Sequence, residues 1–492
     1  MSSTVYFQVK RKDVKTVKTA LERQQKFLKF VGIQPSLDVE GAFLIPTTFP
    51  LSNTGEQLAG SLYCEIPKQW MKELGLEDLD VSIKIITQPN GSDSNSILTI
   101  SPRGPKENAI HSAVALWLAE HKKSISPSLI PKTYSIYTPM VLLPPSAFSS
   151  SEWTSLFQTL LEERKADFFA YITNALHVTH LAINAPIPLT TSPSSQDEPN
   201  IIRAPTNIIP LHGDFGPHPS TLTTPPTQSD FTTAFWVQAT QNGIHQIWAP
   251  LYTMFSRGNI REKTRLLSLP SVLSTVRLGP SSAVDLYAGI GYFAFSYAKA
   301  GVSKILCWDL NPWSVEGLRR GAERNGWGYV VLGTGETGRG EDVKAMADEE
   351  TKFVVFNESN ESELSLPRIR QLRPYIPPIR HVNLGILPTS RDSWTTAVHV
   401  LDSDLGGWAH VHENVADNPT SIAAAATECA RAIGSKVKTL GGKGEEVRVE
   451  DVARVKTFAP GVVHVVFDVW VPPKHRGESL KVLDDKRNNT DK

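Results

Sequence analysis

The stretch Ser282–Asn311, SAVDLYAGIGYFAFSYAKAGVSKILCWDLN, carries the pattern that decides the fold. A short apolar run ends at Asp285, and a turn containing Gly289 and Gly291 follows it. A helix-like pattern and a second apolar run come next, and the second run stops at Asp309. This order predicts a strand, a glycine turn, a helix and a second strand of an α/β domain.

The polar residues of this stretch indicate a nucleoside pocket. Glycines let backbone amides approach a ligand closely, and an acid at the end of the second strand can accept hydrogen bonds from ribose hydroxyls. The G-x-G-x-x-G pattern of NAD enzymes is absent because residue 294 is Ala294. An Asp before A-G-x-G is instead typical of enzymes that use S-adenosylmethionine (SAM). We therefore predict cofactor contacts from Asp285, Gly289, Gly291 and Asp309.

Two neighbouring segments supply further candidates for the same ligand. Lys263 or Arg261, shortly before the first strand, can pair with the methionine carboxylate of SAM, although a solvated helix start explains their spacing equally well. Gly333–Thr337 falls in the predicted third-strand loop, where an acid or a hydroxyl can bind the adenine amine. Glu336 and Thr337 are the candidates there, and an ordinary glycine-rich loop is the alternative.

A third segment points to the acceptor side of the site. Asn383–Ser390, NLGILPTS, follows an apolar run, and it occupies the place of the short N-P-P-like loop of SAM enzymes that act on nitrogen. Asn383 is expected at the carboxyl end of a strand, where open α/β sheets place their sites. Pro388 lies in the same loop. Trp394 nearby can stack on a base or can be an ordinary core residue.

Cysteine and histidine give no sign of a metal. The 3 cysteines, Cys64, Cys307 and Cys429, are far apart and lack the spacing of metal ligands. His410 and His412 are expected to be one buried and one exposed imidazole rather than joint ligands of one ion. The sequence therefore predicts a reduced intracellular protein without a metal site.

The composition is that of an ordinary soluble protein. Of its 492 residues, 50 are Lys or Arg and 50 are Asp or Glu, so the net charge does not favour nucleic acid. The basic residues are nevertheless concentrated in Lys10–Lys29, a segment that can lie along phosphates or be a solvated basic helix. No apolar run reaches the roughly 18 residues needed to cross a bilayer. We expect a cytoplasmic location and no membrane partner.

The order of patterns predicts a Rossmann-like α/β domain preceded by α+β amino-terminal domains. Residues 1–125 read as a small α+β domain that carries the basic segment and is the candidate for docking a nucleic acid. Residues 126–249 form a middle domain whose segment 186–233 is rich in Pro, Ser and Thr. Residues 250–473 form the SAM-binding catalytic domain, and 474–492 are predicted to be a disordered tail.

Several segments together carry a family resemblance. The chain resembles the tRNA wybutosine-synthesizing protein 2 family, the aminocarboxypropyltransferases of eukaryotic tRNA modification, which is related to the methyltransferases that act on N1 of guanine beside the anticodon. The matching segments fall between residues 235 and 471, and FSxGNIxEKxR combined with NLGxxPxS is the most specific feature. They are 242–244, 254–265, 284–293, 311–312, 318–319, 383–390, 394, 410–415, 455–460 and 464–468.

The resemblance implies an activity and a set of contacts. It implies transfer of the 3-amino-3-carboxypropyl group of SAM to the C7 side of 4-demethylwyosine at position 37 of tRNA(Phe), with release of methylthioadenosine. Carried over position by position, the cofactor contacts fall on Ser256, Lys263, Asp309, Glu336 and Thr337. The family usually has Glu at the place of Asp309 and Asp-Asn at the place of Glu336-Thr337. No metal and no obligate protein partner are implied.

Two alternative functions stay open at this point. The first is a guanine N1 methyltransferase, although such enzymes typically have N-L-P where Gly385 and Ile386 intervene here. The second is a non-catalytic RNA-binding protein with a vestigial SAM pocket, against which the intact A-G-I-G turn and Asp309 argue. Candidates for the proton acceptor are Asp285, Asn383 and His410, each expected near a strand end.

Overall fold

In the structure, a computed structural model, the chain forms two compact units, Met1–Ser112 and Ala113–Lys492. It describes residues 2–24, 26–27, 34–35, 42–47, 63–64, 68–77, 79, 81–88, 108–184, 208–222, 224–333, 346 and 348–474. The predicted tail after Lys474 lies outside these residues, as do 186–207 and 223 of the predicted Pro/Ser-rich segment. The predicted domain boundaries near residues 125 and 249 stay a prediction.

The first unit is a small antiparallel sheet with helices. Val17 and Leu21 of its first helix are buried with Phe7 and Ile45 of the sheet. These two helix residues are four positions apart and therefore share one face, which leaves the charged residues on the other. The strands, in the sheet order β2-β3-β1-β5-β4, and the helices are β1 (Ser2–Lys10), β2 (Gln34–Pro35), β3 (Ala42–Pro46), β4 (Tyr63–Cys64), β5 (Val81–Gln88), α1 (Val14–Arg23) and α2 (Lys68–Leu74).

The second unit begins with a four-stranded sheet, its helices and a β-hairpin. Trp117 packs edge-on against Phe168, so the helix that follows residue 108 lies against the long helix of the middle region. The hairpin turns at Asn242 and Gly243, which both have positive φ, as an Asn-Gly turn favours. The elements are α3 (Ala109–Glu120), β6 (Ser135–Tyr137), β7 (Met140–Leu143), α4 (Ser151–Thr159), α5 (Glu162–Leu176), β8 (His180–Asn184), β9 (Ile208–His212), α6 (Gln228–Thr233), β10 (Val237–Gln241) and β11 (Ile244–Trp248).

The rest of the second unit is an eight-stranded sheet with helices, in the order β14-β15-β13-β12-β16-β17-β19-β18. The six strands from β14 to β17 are parallel, and β19 and β18 are antiparallel to their neighbours. The elements are α7 (Ile260–Leu266), α8 (Pro270–Leu278), β12 (Ser282–Asp285), α9 (Ala294–Ala300), β13 (Lys304–Trp308), α10 (Pro312–Arg324), β14 (Gly328–Gly333), β15 (Thr351–Asn357), α11 (Ser362–Leu372), β16 (Ile379–Leu384), α12 (Trp394–Val400), β17 (Gly407–Ala416), α13 (Pro419–Thr439), β18 (Arg448–Ala459) and β19 (Val462–Val471). The predicted strand, turn, helix and strand are β12, α9, β13 and the turn between them.

Both faces of this sheet are covered. Val284 and Leu306 belong to the core on the side of α11, α12 and α13, whereas their chain neighbours Ala283 and Ile305 belong to the core on the side of α8, α9 and α10. Successive residues of a strand point to opposite faces, so covering both faces requires continuous apolar strands. This accounts for the uninterrupted apolar runs of the sequence.

The expectation of one buried and one exposed imidazole in β17 is wrong. His410 and His412 are 0% and 1% exposed. They are two positions apart on one strand and therefore share a face, which the contacts of His412 with Phe293 and of His410 with Tyr297 identify as the α9 side. A central strand with both faces covered has no solvent side for either residue.

An ion-paired cluster lies on this buried face. Arg265 of α7 donates to Asp468 of β19, with one nitrogen–oxygen distance of 3.0 Å, and to Glu262 at 2.8 Å. His410 Nδ1 lies 2.7 Å from Asp468 Oδ1. Burial alone would raise the pKa of Asp468, but the neighbouring His410 and the hydrogen bonds from His410 and Arg265 hold it well below its usual range. The cluster therefore fastens α7 to the sheet through a charged carboxylate.

Replacing Asp468 tests this fastening. Asp468→Asn removes one of the two buried carboxylates that pair with Arg265 and leaves Glu262 as the other, so we expect the free energy of unfolding at pH 7 to fall by about 1.5–3 kcal/mol, the range for hydrogen bonds to charged groups. The lowered pKa means that the contribution of Asp468 is present above about pH 4 and is lost as the pH falls, so the deficit should shrink in acid. Urea unfolding at several pH values measures both effects.

Asp451 provides the matched control. Its carboxylate also lies near Arg265, at 3.4 Å, but its side chain is 60% exposed. Asp451→Asn should therefore change the free energy of unfolding by less than about 1 kcal/mol. Equal losses in the two variants would contradict the assignment of the buried pair.

Candidate active site

The carboxyl ends of four neighbouring parallel strands form the candidate active site. Asp285 ends β12, Asp309 directly follows β13, Asn357 ends β15, and Asn383 is near the end of β16. The strand order changes direction at β12, because β13 lies on one side of it and β16 on the other. Open α/β sheets bind ligands outside such a point. The sequence-predicted acids therefore lie where the topology places a ligand.

The glycine turn after β12 is held by the acid after β13. Gly289 and Gly291 have φ of +53° and +84°, a region that side chains rarely adopt. The backbone N–H of Gly289 donates to Asp309 Oδ2 at 2.8 Å. Asp309 Oδ1 accepts from the backbone N–H of Asn311 at 2.9 Å. Asp309 therefore fixes the turn as well as presenting a half-buried carboxylate beside it.

Asp285 and Asn383 form a buried polar pair beneath the turn. Both side chains are 0% exposed, and Asn383 Nδ2 donates to Asp285 Oδ1 at 3.1 Å. The backbone N–H of Tyr287 donates to the same oxygen at 3.2 Å. Burial raises the pKa of Asp285 to about 7, and the charge of Asp309 adds to the rise. The structure thus brings Asn383, predicted on the acceptor side, against the residue predicted on the cofactor side.

Lys263 is a buried cation beside the glycine turn. It is 3% exposed, and its Nζ donates to Gln246 Oε1 at 2.5 Å and to Gln241 Oε1 at 2.9 Å. Its ammonium group also lies 4.9 Å and 5.1 Å from the ring centroids of Phe255 and Tyr292. Burial, together with the smaller effect of a neighbouring lysine, lowers the pKa of Lys263 to about 7. Such an ammonium group is suited to binding a carboxylate.

Ser256 and Lys263 lie on a segment that hydrogen bonds join to the glycine turn. Tyr292, which follows the glycine turn, donates its hydroxyl hydrogen to the backbone oxygen of Met254, two residues before Ser256. Gln246, a partner of Lys263, donates from Nε2 to the backbone oxygen of Gly291 at 3.4 Å. The acid and the lysine are thus both connected to the same turn.

Gln241 and Gln246 are site residues that the sequence analysis missed. They belong to the hairpin β10–β11, whose second strand contacts α10 and the glycine turn. Gln246 is 2% exposed although it stands between apolar residues in IHQIW. A buried glutamine at the centre of an apolar strand needs polar partners, and this was the available signal.

A second set of missed residues lies after β15. β15, and not β14, is the neighbour of β13, so the predicted loop Gly333–Thr337 follows the edge strand of the sheet. Glu336 and Thr337 lie outside the described residues. The segment after β15 reaches the pocket instead: Asn357 Nδ2 donates to the backbone oxygen of Asp309 at 2.9 Å, and Asn360 Nδ2 donates to that of Leu286 at 2.5 Å. The apolar run 353–356 followed by N-E-S-N was the signal in the sequence.

The other two predicted acceptor-side residues, Pro388 and Trp394, differ in exposure. Pro388 is exposed, and its backbone oxygen accepts from the N–H of Asn414 at 2.9 Å. Trp394 is 2% exposed and belongs to the core, with its Nε1 donating to Ser390 Oγ at 3.1 Å. Stacking of Trp394 on a base is therefore contradicted, because neither face of its ring is open. The sequence could not separate these readings, since an aromatic residue beside a loop suits both.

The described part of the chain contains neither a group of metal-ligand residues nor a membrane-spanning helix. No group of three or more His, Cys, Asp or Glu side chains in the described ranges has an arrangement that could hold a metal ion. Among the described helices, none has the length and apolar content needed to cross a bilayer.

Comparison with known proteins decides the family. The chain is 35% identical over 470 residues to tRNA wybutosine-synthesizing protein 2 of Schizosaccharomyces pombe, which covers 94% of this chain and 99% of the relative. The chain belongs to the tRNA wybutosine-synthesizing protein 2 family. The protein of the same name from Saccharomyces cerevisiae is 33% identical over 380 residues, covering 70% of this chain and 74% of that protein. Membership confirms the resemblance seen in the sequence segments. No protein-family model matches the chain.

Solved structures show similarity at low identity. TYW2 of P. horikoshii in complex with MeSAdo is 17% identical with a TM-score of 0.46, covering 74% of this chain and 99% of that chain. The aTrm5 in complex with tRNALeu is 13% identical with a TM-score of 0.39, covering 95% of this chain and 99% of that chain.

The position of the adenine contact is open to a direct test. Asn360 lies against the end of β12, so its amide oxygen is suited to accept a hydrogen bond from the adenine amine. We predict that Asn360→Ala weakens the binding of SAM by about threefold to tenfold, the effect of one net hydrogen bond. Calorimetric titration with SAM measures the change, and the melting temperature reports any loss of folding.

The control is the pair that the sequence analysis proposed. Glu336→Ala combined with Thr337→Ala should leave SAM affinity within twofold of the wild type. A large loss in this double variant, with unchanged affinity in Asn360→Ala, would place the adenine contact in the earlier loop.

Proposed function

We propose that this protein transfers the 3-amino-3-carboxypropyl group of SAM to 4-demethylwyosine at position 37 of tRNA(Phe), on its C7 side, and releases methylthioadenosine. Family membership carries the proposal: the Schizosaccharomyces pombe relative that is 35% identical over 94% of this chain is a tRNA wybutosine-synthesizing protein. The pocket supports it, because segments that match the family carry Asp285 and Lys263, and a further matching segment begins two residues after Asp309. We further propose a cytoplasmic location, which rests on the sequence alone.

The pocket offers complementary groups for the two ends of SAM. Asp309 presents a half-buried carboxylate for the ribose hydroxyls, and hydrogen bonds with a charged acceptor are about twice as strong as neutral ones. Lys263, with Ser256, presents a buried ammonium group for the methionine carboxylate. The turn Gly289–Gly291 lies between them and brings backbone close to the ligand. Lys263 lies on α7 and Asp309 directly follows β13, so these two elements set the distance between the lysine and the acid.

Orientation is the chain's main contribution to this reaction. SAM supplies an electrophilic carbon on each of the three substituents of its sulfonium. The residues of the pocket select the substituent that faces the acceptor, because reaction requires alignment with the incoming nucleophile. Holding the carboxylate at Lys263 and the ribose at Asp309 fixes both long substituents. The choice of the γ-carbon over the methyl group then follows from where the tRNA base enters.

The three candidates for the proton acceptor are not equivalent. His410 is fully buried, with Nδ1 at 2.7 Å from Asp468 and Nε2 at 3.1 Å from His381, so its nitrogens are engaged in the sheet interior. Asn383 has an amide, which is not basic. Asp285 is equally buried, but it has a carboxylate at the carboxyl end of β12 whose pKa burial raises to about 7. Asp285 is therefore the candidate that the geometry favours.

The first unit offers a basic face to tRNA. Lys15 and Arg23 on α1 are exposed, opposite the buried Val17 and Leu21. Lys18 is engaged more locally, with its Nζ 3.6 Å from Glu22. Lys15 and Arg23 are therefore better placed than Lys18 to contact phosphates, and such contacts depend on salt concentration. Recognition of tRNA(Phe) in particular rests on the family alone.

A double-label experiment tests the activity. Purified protein is incubated with tRNA carrying 4-demethylwyosine and with SAM labelled, in parallel reactions, on the methyl carbon or on the carboxyl carbon. We expect carboxyl label to enter the tRNA, methyl label to stay out, and methylthioadenosine to appear in equal amount. Because Asp309 anchors both the turn and the ribose, Asp309→Ala should lose most of this transfer and is the matched negative control.

Other outcomes assign the rival functions. Methyl label in the tRNA would replace the proposal with a methyltransferase. No transfer and no binding of SAM would indicate an RNA-binding protein without catalysis.

A further inference from the structure

A second lysine, Lys456, reaches the carboxylate end of the pocket from the far end of the sequence. It lies on β18, and its Nζ donates to Ser256 Oγ at 3.0 Å. Its stem packs beneath Gly258, where an added Cβ would lie 2.9 Å from Lys456 Cδ. The side chain is half-buried against the segment that carries Ser256. Packing therefore fixes Lys456 beside a residue predicted to contact the cofactor.

The two lysines form a cationic site whose own partners are neutral. Lys263 donates to two glutamine oxygens, and Lys456 donates to a serine hydroxyl. Within the described ranges no carboxylate oxygen lies within ion-pair distance of either ammonium group. Burial lowers the pKa of Lys456, and burial together with the charge of Lys456 lowers that of Lys263. An anion beside the two lysines would raise both pKa values again and favour their charged forms.

The contacts around the two lysines indicate which anion fits. One short segment contacts both lysines. Ser256 accepts a hydrogen bond from Lys456, and the ring of its neighbour Phe255 lies under the ammonium group of Lys263. The hydroxyl of Tyr292 links the same segment to the glycine turn. The cationic site is thus joined to the glycine turn, whose Gly289 is bound by Asp309. A carboxylate on a short aliphatic arm extending from the nucleoside matches this placement.

We propose that Lys456 is a positioning residue that, with Lys263 and Ser256, binds the α-carboxylate of the group that is transferred. The proposal rests on the proposed function and adds a specificity role to it. A carboxylate held from two elements, α7 and β18, cannot rotate about one contact. This restraint keeps the arm in place while its γ-carbon is attacked and its bond to sulfur breaks, with the electron pair leaving on methylthioadenosine.

Comparing two ligands isolates this role. SAM carries the carboxylate, whereas methylthioadenosine lacks it and shares the nucleoside. We expect Lys456→Gln to weaken SAM binding at least tenfold and to leave the binding of methylthioadenosine within twofold of the wild type. Lys456→Arg should recover part of the SAM affinity because it keeps the charge. Arg448→Gln is the matched control, since Arg448 is on the same strand but exposed and paired with Glu450.

Each other outcome overturns the proposal in a distinct way. Equal losses for SAM and methylthioadenosine, with a lowered melting temperature, would make Lys456 a structural residue. Unchanged SAM affinity with weakened tRNA binding would assign it to a phosphate of the RNA. If the wild-type protein binds neither ligand, the proposed function itself fails. If the wild type transfers carboxyl label and Lys456→Gln keeps full preference for SAM, only this inference fails.

Discussion

The hydrogen bond from the backbone of Gly289 to the carboxylate of Asp309 is the interaction on which the site depends. It joins the turn after β12 to the end of β13, at the point where the strand order changes direction. The glycine has a backbone conformation that a side chain would disfavour, so the turn needs an external anchor. Asp309 supplies that anchor with one oxygen and keeps the carboxylate close to the ligand. Asp309 thus holds the turn and also presents a carboxylate for the proposed ribose contact.

The opposite end of the pocket depends on a buried charge cluster. Lys263 lies on α7, and Arg265 of the same helix is bound to Asp468 of β19 and to Glu262. A short helix has little stability of its own, so its position comes from this cluster and from packing. The contacts of Lys263 with Gln241 and Gln246 add the hairpin β10–β11 to the same support. The hairpin and β19 therefore both hold the short helix that carries Lys263.

The sequence predicted the parts of the site that lie within one local pattern. The strand, turn and helix around Gly289 and Gly291 were predictable because apolar runs and glycines report local conformation. Asp309 followed from the same pattern. Hairpin formation around Asn242-Gly243 was predictable for the same reason. In each case the signal and the structure it specifies lie within about thirty residues.

The parts that depend on strand order were not predictable from local patterns. β15 is inserted between β13 and β14, which gives Asn360 the position expected for the loop with Glu336 and Thr337. Lys456 contacts Ser256 across a separation of 200 residues. The sequence does not decide between the two interpretations of Trp394, and it wrongly predicts one exposed imidazole in the pair His410 and His412. Burial is set by the elements that cover a strand or helix, and a single sequence does not show which elements those are. Sheet topology supplies this information.

Hydrogen–deuterium exchange with two ligands tests the placement of the whole pocket most directly. The full chain is compared alone, with methylthioadenosine and with SAM, and amide protection is mapped by peptide. Either ligand should protect residues 285–293, 309–311 and 357–360, and only SAM should add protection at 254–263 and 454–458. Protection by SAM that is absent from 285–293 and 309–311, or that is identical for both ligands at 254–263, would contradict a pocket that runs from Asp309 to Lys263.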